Sequence, residues 1–375
     1  MGFNNFEIYI DGLFYKGSGI GRYYESLLKE FSLKGIKIYT CIPVRLKDSF
    51  EKDFKDFKGI EAIYVDYSKY SLKGFIKQSY ILKNLENKVD LFFYPHINLP
   101  YYIPKNTIVT VLDLTPFTKF WDRSLIKKKY YKFLFRRAIC YCKGIVTISK
   151  ATKKALLNFD KTVESKVDII YEFIDDKFIE ALNVSEKRLL YEDYILFIGN
   201  RKKHKNLERL ILAYNEIKKK INCKLVIAGN KDINNDRKDE IDLLIKKINL
   251  ENDIVEIISP DDETIINLYR NAKLFVFPSL CEGFGLPPLE AMSLGCPVIA
   301  SDLPVLREVC GDAALYFNPY SENDLSDKML KILNDEALIK IMKEKGLDRV
   351  NFFDKEKIIK QYIEVLTKYE NSFNS

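Results

Sequence analysis

Apolar residues in this chain gather into short, nearly unbroken runs, with helix-like segments of mixed polarity between them. Phe6–Asp11 reads as a first strand, followed by a loop carrying Gly12, Gly17, Gly19 and Gly21 and a helix over 22–31. Further strands are expected at 36–42, 90–94, 107–112, 144–148 and 166–171. A second series opens at 194–198 and continues at 224–228, 254–258 and 274–277. Unbroken apolar runs of this kind belong to parallel strands that crossover helices bury on both faces. The pattern predicts an α/β protein with two parallel sheets. A polar stretch at 183–188 reads as the linker, so the expected domains are 1–185 and 186–354, with a last helix over about 355–369.

The run around the strand at 274–277 is the most informative. It breaks at Pro278 and passes through a turn with Glu282, Gly283, Phe284 and Gly285. A helix is then expected over 289–294, with Pro287 and Pro288 at its start and Gly295 as its stop. Strand, glycine loop and helix aim free N–H groups and the positive end of a helix at one place. Glu282 lies in the loop and Glu290 in the first turn of the helix. An acid beside anion-binding N–H groups gains little unless the ligand also carries hydroxyls. A sugar nucleotide has both parts, a diphosphate for the N–H groups and diols for the carboxylates. Helix-dipole compensation for Glu290 and a solvated loop acid for Glu282 are the plainer alternatives.

The loop after 194–198 supplies the opposite charge. In GNRKKHKN, Arg201 and Lys205 stand where a diphosphate needs cations, and Lys202, Lys203 and His204 read as surface. A solvated basic turn before a helix is the alternative. The N-terminal glycine loop invites a dinucleotide reading, which two details disfavour. Arg22 occupies the third glycine position of G-x-G-x-x-G, and no ribose-binding acid follows the second strand.

Ligands of parallel sheets sit at the carboxyl ends of the strands. His96, Asp113 and Ser149 each follow a predicted strand there, so His96 and Asp113 are candidates for acid–base or acceptor-side roles. A satisfied structural histidine is the equal alternative for His96. The segment 125–139 reads as a basic amphipathic helix, with Leu125, Tyr130, Phe133, Leu134, Ala138 and Ile139 on one face. Such a helix either lies on an anionic bilayer or packs on its own domain with a solvated charged face.

At 375 residues, 47% apolar and 30% charged, the chain fits two globular domains. Its net charge of +7 is too diffuse to argue for nucleic acid. The N-terminus lacks the basic and apolar regions of a signal peptide, and Phe6 replaces the Ser or Thr of a myristoylation motif. A cytoplasmic protein is expected, with peripheral contact to the inner face of the plasma membrane as an option. Seven scattered cysteines, two histidines and the lack of any D-x-D pair give an expectation of no metal and no cofactor.

The run PSLCEGFGLPPLEAMSLGCPVI resembles the hallmark of retaining glycosyltransferases of the GT-B fold, family 4. The resemblance implies two Rossmann-like domains facing a cleft, with the C-terminal helix crossing back to the first. It implies that Glu290 holds the ribose hydroxyls and that Glu282 contacts the transferred sugar. Lys205, and more weakly Arg201, would bind the donor phosphates, with Gly283, Phe284, Gly285 and Leu286 lining the donor and Gly19 and Gly21 giving close backbone approach. It implies a nucleoside diphosphate sugar as donor substrate, with GDP-mannose as first choice, and a glycan or lipid-linked acceptor in surface polysaccharide synthesis. Relatives carry a histidine where this chain has Leu112, beside Asp113. That substitution leaves a non-catalytic sugar-nucleotide binder as the alternative reading, with a nicotinamide-dependent oxidoreductase behind it.

Overall fold

The structure is a computed structural model that describes residues 6–120, 124–183, 188–190, 192–231 and 240–371. Two compact units divide between Glu172 and Phe173. The expected boundary at 185/186 falls later, and most of the expected linker lies outside the described residues.

The first unit is built on a seven-stranded sheet of order β3-β2-β1-β4-β5-β6-β7. Its strands are β1 (Glu7–Ile10), β2 (Lys37–Pro43), β3 (Ile60–Val65), β4 (Leu91–Tyr94), β5 (Thr107–Val111), β6 (Gly144–Thr147) and β7 (Val167–Ile169). Every neighbouring pair is parallel. β4, β5 and β6 are buried along their whole length, which accounts for apolar runs broken only by threonine and free of charge. β3 went unpredicted for the converse reason. It is an edge strand with only Val65 fully buried, and Glu61 interrupts its apolar residues after Ile60.

The helix after β1 runs Ser18–Leu33, starting ahead of the expected Arg22, with Gly17 as its N-cap. Gly19 and Gly21 therefore sit in its first turn instead of in the loop. A Cβ at Gly21 would lie 2.6 Å from the Phe14 carbonyl oxygen, whereas one at Gly19 would meet nothing within 4 Å.

The C-terminal helix Lys355–Asn371 belongs to this first unit. It docks through a buried polar contact, with the Tyr362 hydroxyl 2.5 Å from that of Tyr23, which also meets Thr110 at 3.2 Å. Gly144 makes room for Tyr369, since an added Cβ would lie 2.5 Å from that ring. The Lys143 ammonium donates to the Tyr369 carbonyl at 2.6 Å.

The second unit carries a six-stranded sheet of order β10-β9-β8-β11-β12-β13, again parallel throughout. Its strands are β8 (Tyr194–Ile198), β9 (Lys224–Gly229), β10 (Ile254–Ile258), β11 (Leu274–Phe277), β12 (Val298–Ser301) and β13 (Ala314–Phe317). The core joins Ile195, Phe197, Val276 and Ile299 of the sheet to Leu210, Ile211 and Tyr214 of the helix Leu207–Ile217.

Both sheets have the doubly wound plan, and each reverses its strand order once, between β1 and β4 and between β8 and β11. Chain connections leave such a reversal in opposite directions and open a crevice at the carboxyl ends of the two strands. The residues following β8 and β11 are thus placed by topology to share one site, as are those following β1 and β4.

Candidate active site

At the reversal of the second sheet the two expected loops meet. The loop after β8 ends in a left-handed Asn206 (φ 56°), a conformation that asparagine tolerates better than most residues. The Asn206 side-chain amide donates to the carbonyls of Pro278 (3.0 Å) and Pro319 (2.9 Å), and the Leu280 N–H donates to the His204 carbonyl at 2.7 Å. These bonds lace the β8 loop to the β11 loop. Asn206 is a positioning residue that pattern reading passed over; an asparagine at a loop-to-helix junction was its only signal.

Across this junction Lys205 Nζ lies 2.6 Å from Glu282 Oε1. Both side chains are mostly shielded, 16% and 15% exposed, and the ammonium also lies 5.3 Å from the centre of the Phe277 ring. Partial burial keeps this pair strong while leaving it open to exchange with an incoming anion. His204, between Lys202 and Lys205, is half-buried instead of a surface residue. Burial, and then the Lys205 charge, hold its imidazole down at about 4, so it is neutral at physiological pH.

The β11 loop is fixed by Gly285, whose φ of 121° excludes other residues and whose Cβ would lie 2.9 Å from Leu306 Cδ2. The following helix spans Leu286–Ser293, beginning ahead of the expected 289, and the chain turns at Gly295 with φ 69°. Its prolines fall in the first turn, where a missing N–H costs nothing. Phe284 is buried edge-on against Phe353 at 5.5 Å, so its ring packs the loop from behind and only its backbone is available to a ligand. Glu290 is 4% exposed, with Tyr269 OH 3.4 Å from its Oε2. Gly283 is buried in the same turn and Leu286 is half-buried at the helix start.

Arg201 stands elsewhere than the diphosphate reading expected. Its guanidinium is 3% exposed, donates to Asp242 Oδ1 at 2.6 Å and also binds Glu256. Lys231 bridges the same two carboxylates at 2.9 and 3.0 Å. A guanidinium satisfied by two carboxylates in a shielded position is a tie between β8, β10 and the helix Glu240–Lys247, not a poised phosphate ligand. Charge at a loop is legible in sequence; its partners, far along the chain, are not.

At the reversal of the first sheet, His96 is also internal. Its Nε2 lies 2.8 Å from Asp11 Oδ1, and its Nδ1 accepts the Asn98 N–H at 3.1 Å. That pattern assigns the proton to Nε2 and leaves neither nitrogen open to a substrate. Asp11 is fully buried and accepts from His96, Tyr9, Gln78 and the Leu13 N–H. This network holds the start of the glycine loop and corrects the expectation of a catalytic His96. Asp113 is half-buried beyond β5 and accepts the Thr115 N–H at 2.8 Å, with Leu112 just before it.

The helix Leu125–Tyr141 divides along its length instead of presenting one apolar face. Leu134, Phe135, Ala138 and Ile139 are buried, while Leu125, Ile126, Tyr130 and Phe133 are exposed beside Lys127, Lys129 and Lys132. Among the described residues no helix is long and apolar enough to cross a membrane.

Residues 179–349 match the family model of glycosyl transferases group 1. The O-antigen chain mannosyltransferase RfbU of Salmonella typhimurium is 30% identical over 227 residues, 58% of either chain. The O-antigen chain mannosyltransferase B of Escherichia coli is 28% identical over 295 residues, 76% of either chain. The matched stretch thus spans little more than half of the Salmonella relative. Two solved structures share the fold over nearly the whole length. A glycosyltransferase from Rickettsia africae has a TM-score of 0.77 at 17% identity, covering 98% of this chain and 99% of its own. WaaG, a glycosyltransferase involved in lipopolysaccharide biosynthesis, has a TM-score of 0.74 at 14% identity, covering 96% and 99%. The fold is that of the GT-B glycosyltransferases, and the match to the group 1 glycosyl transferase model falls on the second unit, which carries the laced loops at the β8–β11 reversal.

Proposed function

We propose that the chain is a retaining hexosyltransferase that moves a sugar, mannose from GDP-mannose in the first instance, onto a hydroxyl of a glycan or lipid-linked acceptor in surface polysaccharide synthesis. The observation that carries this reading is the Lys205–Glu282 pair at the strand-order reversal, 2.6 Å apart. A nucleoside diphosphate sugar separates the pair and uses both halves. Its diphosphate takes the Lys205 ammonium together with the N–H groups of the glycine loop and helix start, and its sugar hydroxyls take the Glu282 carboxylate. Glu290 holds the ribose diol. The mannosyltransferase relatives support the choice of sugar.

In the reaction the bond from the anomeric carbon to the diphosphate oxygen breaks and one to the acceptor oxygen forms. The acceptor's proton passes to the departing diphosphate on the same face. Lys205 and the loop N–H groups stabilise the charge that builds on the leaving group, so no metal is assigned a role. Asp113 stands as the acceptor-side polar group. The exposed apolar residues and lysines of the helix Leu125–Tyr141 support a reading in which the chain makes peripheral contact with an anionic bilayer at the cytoplasmic face of the membrane. Sedimentation with anionic but not neutral vesicles tests that contact.

The first test is the melting temperature of the full chain against GDP-mannose, UDP-glucose, UDP-galactose, UDP-N-acetylglucosamine and NAD. A rise with one sugar nucleotide that is lost in Lys205→Ala is the expected result. A rise without turnover or hydrolysis points to the non-catalytic binder suggested by Leu112. No rise with any sugar nucleotide overturns the proposal.

A further inference from the structure

The first unit holds an unclaimed cation at its own ligand edge. Lys69 lies between β3 and the helix Leu72–Leu85, and its ammonium sits 4.2 Å from the centre of the Phe14 ring. The other neighbours of that ring are His96, at a centroid distance of 4.3 Å, and Tyr70, edge-on at 5.8 Å. The buried Asp11–His96 pair thus braces Phe14, and Phe14 braces the lysine. The ammonium also borders the glycine loop, since a Cβ at Gly17 would lie 3.3 Å from Lys69 Nζ.

Among the described residues Lys69 has no carboxylate partner. The acids nearby are taken: Asp66 by Lys73 at 2.6 Å and Lys77 at 3.5 Å, and Asp53 by Lys16 at 2.6 Å. Burial, and after it the charge of Arg45, pull the Lys69 ammonium below the usual lysine range. A half-buried cation without a carboxylate partner is an unfavourable arrangement in the free protein, and a ligand anion relieves it. Arg45 follows β2, Lys69 follows β3 and the glycine loop follows β1, so all three lie at the carboxyl edge of one sheet. Beside Lys69 is a small recess that includes Leu13, Gln78, Asn98, Leu99 and Tyr130. Leu72, Ile76 and Tyr101 are exposed on the neighbouring segments.

We propose that Lys69 and Arg45 bind a phosphate or diphosphate group carried by the acceptor, at the first unit's glycine loop. Two cations at the carboxyl edge of one sheet suit a phosphate dianion better than a single carboxylate. The exposed apolar residues beside them suit a lipid tail attached to that phosphate. The inference rests on the glycosyltransferase reading for the word acceptor, but the anion site stands on the first unit alone.

The test is calorimetric titration of the full chain, presaturated with GDP, with farnesyl diphosphate, inorganic pyrophosphate and farnesol. Wild type is expected to bind at least one diphosphate and not farnesol. Lys69→Ala and Arg45→Ala are each expected to lower that affinity about tenfold or more, with Lys69→Arg keeping most of it. Preference for farnesyl diphosphate over pyrophosphate identifies a lipid-borne phosphate; equal affinity identifies the phosphate alone, and either supports the site. Binding of neither diphosphate by wild type, or equal binding by folded Lys69→Ala and Arg45→Ala, overturns it. Should Lys69→Ala fail to fold, Lys69→Gln takes its place. Melting the same proteins against GDP-mannose tests the donor reading separately, so failure of one is not mistaken for failure of the other.

Discussion

Lys205 Nζ and Glu282 Oε1 stand 2.6 Å apart, contributed by loops that leave β8 and β11 on either side of the strand-order reversal. The two groups proposed to receive opposite ends of the donor neutralise each other in the free protein. The donor must therefore exchange one ion pair for two sets of contacts, and removing either partner changes the free and bound states differently.

Lys205→Ala is expected to abolish the sugar-nucleotide melting shift and to lower turnover by about a hundredfold or more, because it removes charge stabilisation from the leaving diphosphate. Glu282→Gln frees the ammonium and keeps the shape. It is expected to retain nucleoside diphosphate binding while losing turnover. Titration with GDP alongside steady-state assays separates the two effects, and a Glu282→Gln protein with normal turnover would remove Glu282 from the chemistry.

Arg201→Ala is expected to act on stability. It leaves Asp242 and Glu256 with Lys231 alone and should cost about 1–3 kcal/mol in chemical denaturation. Donor affinity of the folded protein should stay near that of wild type. A large loss of affinity with unchanged stability would return Arg201 to the diphosphate.

Gly285→Ala forces a side chain into φ 121° and against Leu306. A loss of about 1–3 kcal/mol is expected from the strain. Donor binding should weaken with it, since the N–H groups of the loop turn with that residue. Denaturation and GDP titration of the same variant measure both effects.

His204 gives a signed pH dependence. Its imidazole is held near 4 in the folded chain against an ordinary 6.5, by burial first and the Lys205 charge second, with Glu282 acting in the opposite sense. The unfolded chain therefore takes up the proton first on acidification. The stability associated with neutral His204 is complete above pH 6.5 and is lost as pH falls toward 4. His204→Gln should flatten the stability profile across that window, as read by denaturation at a series of pH values. An unchanged slope would show that another group governs it.

Much of the architecture was legible in the chain itself. β4, β5, β6, β8 and β11 announce themselves because strands buried on both faces exclude charge and are mostly apolar, and the Pro278–Gly295 run carries its turn, its proline start and its glycine stop as local chemistry. The edge strand β3 is harder to read because Glu61 interrupts its apolar residues and an edge position leaves most of them only half-buried. Charge near the site was equally legible, as Lys205 and Glu282 were both read from their loops.

Sequence alone determined most of the elements, the two-sheet plan and the residue types available for binding a sugar nucleotide, since periodicity and turn chemistry are properties of neighbours in the chain. Only the tertiary structure decided how each charge is partnered. Arg201 and His96 are held by carboxylates dozens of residues away in shielded positions, Lys205 meets Glu282 where two loops come together, and Lys69 stands out only because the nearby acids are paired with other lysines. Burial and pairing depend on what the fold brings within hydrogen-bonding reach, and no local pattern records that.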